Sequence, residues 1–117
     1  MPIRVPIDDL RRFVTEALRP TGMNAEDALI VADALVTADT MGVFTHGTKL
    51  LPGYVNRLKG GGYRATGKPR VTGDGPAWAL IDGDAALGQI GCVFAMRTAI
   101  EKARQVGIAY VGRTNTS

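Results

Sequence analysis

A chain of 117 residues with 45% hydrophobic and 21% charged side chains has the size and make-up of one globular domain and is too apolar for an intrinsically disordered segment. The formal charge of +3 comes from cations scattered at Arg11-Arg12, Arg57 to Lys59, Arg64 to Arg70 and Lys102 to Arg104, with no stripe that interleaves them with stacking aromatics, so nucleic acid is not an expected partner. The opening Met1-Pro2-Ile3-Arg4-Val5-Pro6 interrupts the apolar run of a secretory signal, no later run reaches a membrane span, and the single Cys92 cannot form an internal disulfide, so a soluble cytoplasmic protein without membrane association is expected.

Behind Asp8 and Asp9, Ile7, Leu10, Phe13, Val14, Ala17 and Leu18 recur at helical spacing. The acids suit the positive end of the dipole, and Pro20 and Gly22 predict a stop near Arg19. Asn24 is placed to cap the next helix, with Asp27 following in the manner of a capping box. Its apolar face, Ala28, Val31, Ala32, Leu35, Val36 and Ala38, runs on towards Gly42, and the small alanines imply close packing against another helix or a second subunit.

Between Thr45 and Leu58 two readings stand. Either Thr45 caps one helix that kinks at Pro52, or a turn spans His46 to Leu50 and regular helix begins near Leu51 with Pro52 in its first turn. Gly60-Gly61-Gly62 ends the helix in both cases. Residues 63–76 read as a loop carrying a short edge strand, Arg70 to Thr72, before a better strand, Ala77 to Asp82. Ala86 to Gln105 reads as a long helix with Ile90, Val93, Phe94, Ile100 and Ala103 on its apolar side, closed by Gly107. Ile108 to Gly112 then has the character of a buried parallel strand. The expected class is α/β, with a helical module over residues 1–62 and the start of a mixed α/β sheet domain over residues 63–117.

Several motifs invite chemistry that their surroundings do not support. Gly62 to Lys68 has P-loop spacing, but Pro69 stands where a magnesium-binding hydroxyl is needed, and neither a preceding strand nor a following helix is predicted. Gly73-Asp74-Gly75 lacks the third glycine of the dinucleotide fingerprint. Asp82-Gly83-Asp84 reads as a turn, because the ligand count is too low for a metal, and no metal is expected. Cys92 reads as a buried spectator in an apolar helix.

Thr45-His46 is different. His46 is the only histidine, and histidine is the side chain that exchanges protons most readily near neutrality. One reading makes Thr45 a helix cap and His46 a surface or packed residue. The other has His46 give a proton to a carbonyl oxygen as hydride arrives at the carbon, with Thr45 orienting the imidazole. If residues 46–54 are helical, Tyr54 shares a face with His46 and its hydroxyl meets the same ligand.

Ala38-Asp39, Gly42-Val43, Thr45-His46-Gly47, Pro52, Tyr54 and Gly60-Gly61 are followed in order by Asp82-Gly83, Gly88-Gln89, Ala95-Met96, Ala99-Ile100, Lys102-Ala103 and Gly107-Ile108-Ala109. This succession resembles the N-terminal third of the malate/L-lactate dehydrogenase family, which is distinct from the Rossmann dehydrogenases. The resemblance implies an L-sulfolactate dehydrogenase-like, non-Rossmann fold and a homodimer. It also implies an enzyme that interconverts 2-oxo and 2-hydroxy acids, or reduces cyclic imino acids, with NAD or NADP. Proton donation and its relay fall on His46 and Thr45. Where the family commonly has a substrate-clamping arginine this chain has Leu50, leaving Lys49 as a neighbouring point charge for a substrate that Tyr54 also contacts. A second histidine and most of the cofactor-binding residues of the family would fall beyond Ser117, so the sequence reads as an N-terminal fragment inactive by itself. The rival expectation is a truncated, non-catalytic helical dimerisation module.

Overall fold

A computed structural model describes residues 3–116. The chain divides into two compact units, Met1–Gly62 and Tyr63–Ser117. The first is helical. Helix α1 spans Ile7–Leu18, a 3-10 turn covers Arg19–Thr21, α2 spans Ala25–Thr40, two further 3-10 turns cover Phe44–His46 and Thr48–Leu50, and α3 spans Leu51–Lys59. Asp8 and Asp9 occupy the first turn of α1 as expected, and each bonds an arginine one turn on, Arg11 at 2.8 Å and Arg12 at 3.0 Å. These pairs are exposed and contribute little. The helix stops where Pro20 requires, and the chain tightens into the 3-10 turn instead of breaking at once.

Asn24 caps α2 as its spacing predicts, its Oδ1 accepting from the Asp27 amide at 2.8 Å. Asn24→Ala should therefore cost about 1 kcal/mol of unfolding free energy, measurable by urea denaturation. The predicted face is buried at Ala28, Val31, Ala32, Leu35 and Val36 and packs against α1, where Val14 and Leu18 are fully buried. Leu51 and Leu58, two turns apart on α3, complete this core with Met23. The expected stripe on α1 is only partly used. Phe13 stays 63% exposed and Ile7 50%, because the stripe is wider than the contacts with α2 and α3 can cover.

In the second unit β1, Arg70–Gly75, pairs antiparallel with β2, Trp78–Asp82, and β2 pairs parallel with β3, Tyr110–Thr114, in a three-stranded sheet of order β1-β2-β3. Helix α4, Gly88–Val106, is the crossover between the parallel strands and packs against both. Ala79 and Ile81 are fully buried while Trp78 and Leu80, which alternate with them, are about half exposed, the pattern of a sheet covered on one face.

Three expectations change. β1 extends to Gly75 and does not end at Thr72, because the Trp78 indole lies across the side-chain space of Gly73 and Gly75, a surface that larger residues would not leave open. α4 begins at Gly88 and not Ala86, since Asp84 and Ala85 are both left-handed and the chain is still turning there. β3 is parallel as predicted but not buried: it forms an edge of the sheet, with Tyr110 75% exposed.

Candidate active site

The Thr45–His46 segment is built on the end of α2. Thr40 is the last helical residue, Gly42 turns left-handed at φ +77°, and the Gly42 and Val43 amides donate back to the Asp39 and Ala38 carbonyls at 3.0 and 2.9 Å. The chain then winds one 3-10 turn, Phe44–His46, in which the His46 amide donates to the Val43 carbonyl at 3.0 Å. Gly47 is extended, and a second 3-10 turn, Thr48–Leu50, leads directly into α3 with Pro52 in its first turn. Of the two readings of this stretch, the turn followed by a helix from Leu51 is the observed one.

Two details of the sequence reading are corrected. Thr45 caps no helix; it lies inside the first 3-10 turn, where its Oγ1 is 3.0 Å from His46 Nδ1. Residues 46–54 are not one helix either, so His46 and Tyr54 gain no common face from helical spacing: Gly47 interrupts it, and Tyr54 sits on α3. The structure thus joins Thr45 to His46 and sets Lys49 and Tyr54 on other elements, Lys49 exposed in the second 3-10 turn and Tyr54 half-buried on α3.

The histidine ring is exposed. With the imidazole protonated, Nδ1–H donates to the Thr45 hydroxyl, which fixes the ring plane and leaves Nε2–H as the donor for a ligand. Gly47, the next residue, is required for a steric reason: an added Cβ would lie 1.7 Å from Asp39 Oδ1. The same carboxylate accepts from Thr48 Oγ1 at 2.5 Å and from the Thr48 amide at 3.3 Å. Sequence reasoning found no role for Asp39, because a contact across nine positions exists only once both 3-10 turns are formed.

The other motifs resolve into structure. Gly67 of the P-loop-like stretch faces backbone, its added Cβ falling 2.5 Å from the Asp84 carbonyl, and the Lys68 amide donates to Asp84 Oδ2 at 2.9 Å. Arg64 bonds the same carboxylate. Asp82 is the hub of the Asp-Gly-Asp turn, with Oδ1 accepting from the Asp84 amide at 2.8 Å and from Asn115 Nδ2 at 3.0 Å. Among the described residues no group of three His, Cys, Asp or Glu side chains could hold a metal, and no helix is long and apolar enough to cross a membrane. Cys92, expected to be buried, is exposed and lines a shallow groove with Met96 and Tyr110.

The Asp84 amide first and then Asn115 hold the Asp82 carboxyl below the ordinary 3.8; burial opposes them, and the Arg70 guanidinium adds a smaller downward pull. A depressed carboxyl contributes stability that is present above 3.8 and is lost as pH falls through the lower folded value. Asp82→Asn should therefore flatten the fall of the melting midpoint at acid pH, with its largest loss above pH 3.8, as read by thermal scans from pH 7 to 2.

The sequence profile described as malate/L-lactate dehydrogenase matches residues 5–117. The chain is 45% identical over 115 residues to malate dehydrogenase of Pyrococcus horikoshii, covering 98% of this chain and 32% of the relative, and 36% identical over 107 residues to L-sulfolactate dehydrogenase of Methanocaldococcus jannaschii, covering 92% and 31%. The solved structures of malate dehydrogenase from P. horikoshii and sulfolactate dehydrogenase from M. jannaschii superpose with a TM-score of 0.95 each, over 98% of this chain and 33% of theirs, at 45% and 34% identity. The chain thus spans about a third of the length of the relatives it matches. Helices of the first unit and the mixed sheet of the second are those expected of an L-sulfolactate dehydrogenase-like fold, and the chain belongs to the malate/L-lactate dehydrogenase family.

Proposed function

We propose that this chain supplies the proton-transfer end of an oxidoreductase that interconverts a 2-oxo acid and a 2-hydroxy acid with NAD or NADP. The observation that carries the reading is the 3.0 Å contact of Thr45 Oγ1 with Nδ1 of an exposed imidazole, in a chain of this family. In the reducing direction the Nε2 proton passes to the carbonyl oxygen while hydride adds to the carbon, so C=O becomes CH–OH and the ring is left neutral. Its Nδ1–H still donates to Thr45. Oxidation is the reverse, with neutral Nε2 taking the hydroxyl proton. Lys49 provides a point charge for the substrate carboxylate in place of the family's arginine, and Tyr54 contributes its hydroxyl to the same substrate.

The nicotinamide, when bound, supplies or takes the hydride. The described residues do not form a cradle for its pyrophosphate. The space at Gly67 belongs to the Asp84 and Ala86 backbone, and that at Gly75 to Trp78. Thr116 Oγ1, beside Gly91 in the first turn of α4, is buried without a hydrogen-bond partner among the described residues, and one hydroxyl does not hold a dinucleotide. On this reading residues 63–117 begin the cofactor-binding domain, these 117 residues, about a third of the relatives' length, do not suffice for turnover by themselves, and the enzyme is a cytoplasmic homodimer.

The test is the polypeptide encoded by the whole reading frame, assayed by nicotinamide absorbance against a panel of 2-oxo acids with NADH and NADPH. Turnover with at least one pair is expected. Folded protein inert towards all of them would count for the rival reading, a helical dimerisation module, which the exposed Ile3, Val5, Phe13 and Phe44 of the first unit favour.

A further inference from the structure

We propose that Asp39 is the positioning residue for the Thr45–His46 pair, holding both ends of the segment that carries them. The inference rests on the proton-transfer role given to His46 above. Its first hold is through the backbone: the Asp39 carbonyl accepts from the Gly42 amide at 3.0 Å, which fixes where the chain leaves α2. Its second is through the side chain, whose carboxylate accepts from Thr48 Oγ1 at 2.5 Å and, through Oδ1 and Oδ2, from the Thr48 amide at 3.3 Å each.

Between these holds lies one 3-10 turn with His46 as its last residue. Gly47 joins the two turns, its amide donating to the Phe44 carbonyl at 3.2 Å and its carbonyl accepting from the Leu50 amide at 3.0 Å. The carboxylate lies against Gly47 so closely that an added Cβ would fall 1.7 Å from Oδ1 and 2.6 Å from Cγ. Asp39 therefore sets the peptide that follows His46, and with it the direction from which the imidazole leaves the backbone. Thr45 fixes the ring plane and Asp39 fixes the base on which the ring stands. A donor displaced by about 1 Å loses on the order of a hundredfold in rate, so this hold acts on turnover more than on substrate binding.

The experiment uses the complete polypeptide and the variants Asp39→Ala, Asp39→Asn, Gly47→Ala and the double Asp39→Ala/Gly47→Ala. Asp39→Ala should lower kcat by roughly 10- to 100-fold with KM for the oxo acid within about twofold. Asp39→Asn, which keeps one oxygen to accept from Thr48 Oγ1, should recover part of that loss. Gly47→Ala should be severe alone yet add little in the Asp39→Ala background, where the obstructing atoms are gone. The imidazole signals, assigned by their disappearance in His46→Gln, should shift or double in Asp39→Ala. Parental kcat in Asp39→Ala, additive effects in the double variant, or unmoved imidazole signals would each overturn the proposal. If His46→Gln keeps parental turnover, the proton-transfer reading has failed and the positioning role falls with it. If His46→Gln is inactive and Asp39→Ala is not, the positioning role alone has failed.

Discussion

Replacing His46 by glutamine is expected to lower turnover in both directions at least about a hundredfold, the usual loss when a positioned acid-base group is removed. The ring is exposed and its contact is with the adjacent Thr45 hydroxyl, so the substitution leaves the core of the first unit intact and the melting midpoint should hardly move. A loss of rate without a loss of fold separates chemistry from structure. Thr45→Val, which removes the hydroxyl beside Nδ1 but keeps the shape, should give a smaller loss of turnover in both directions. Parental turnover in His46→Gln would remove the histidine from the mechanism.

Gly67→Ala is expected to cost about 3 kcal/mol of stability. A Cβ there would meet the Asp84 carbonyl at 2.5 Å, the Ala86 amide nitrogen at 3.0 Å and the Arg64 carbonyl at 3.1 Å, all of them backbone. These neighbours cannot swing aside as a side chain would. The Gly67 amide donates to Arg64, and the Arg64 amide to Ala85, so relieving the clash means opening the contact that fastens the loop to the Asp-Gly-Asp turn. Gly53→Ala is the contrasting case: nothing lies within 4 Å of its added Cβ in α3, and a helical glycine replaced by alanine should gain up to about 1 kcal/mol. Chemical denaturation of both variants decides the point, and a Gly67→Ala protein as stable as its parent would show that the loop is not held where the structure has it.

The family's landmarks were legible in the sequence because they are local and ordered, and so were the helices, whose apolar spacing, caps and proline stops act within a few residues of themselves. Asn24 and Pro20 do what their positions imply. The Thr45–His46 contact is between adjacent residues and was legible for the same reason, although the sequence allows two conformations for the turn that forms it. The extent of β1 was not legible, since Gly73 and Gly75 read as loop until the Trp78 ring from the neighbouring strand occupies their side-chain space. Nor was the meaning of Gly47 and Gly67, each of which faces atoms from a distant part of the chain. Sequence alone determined where α1 and α2 form and that the histidine has a hydroxyl beside it, because those depend on neighbours along the chain. Only the tertiary structure decided why particular glycines have no substitute and what Asp39 holds, because those depend on side chains and backbone that folding brings together across many positions.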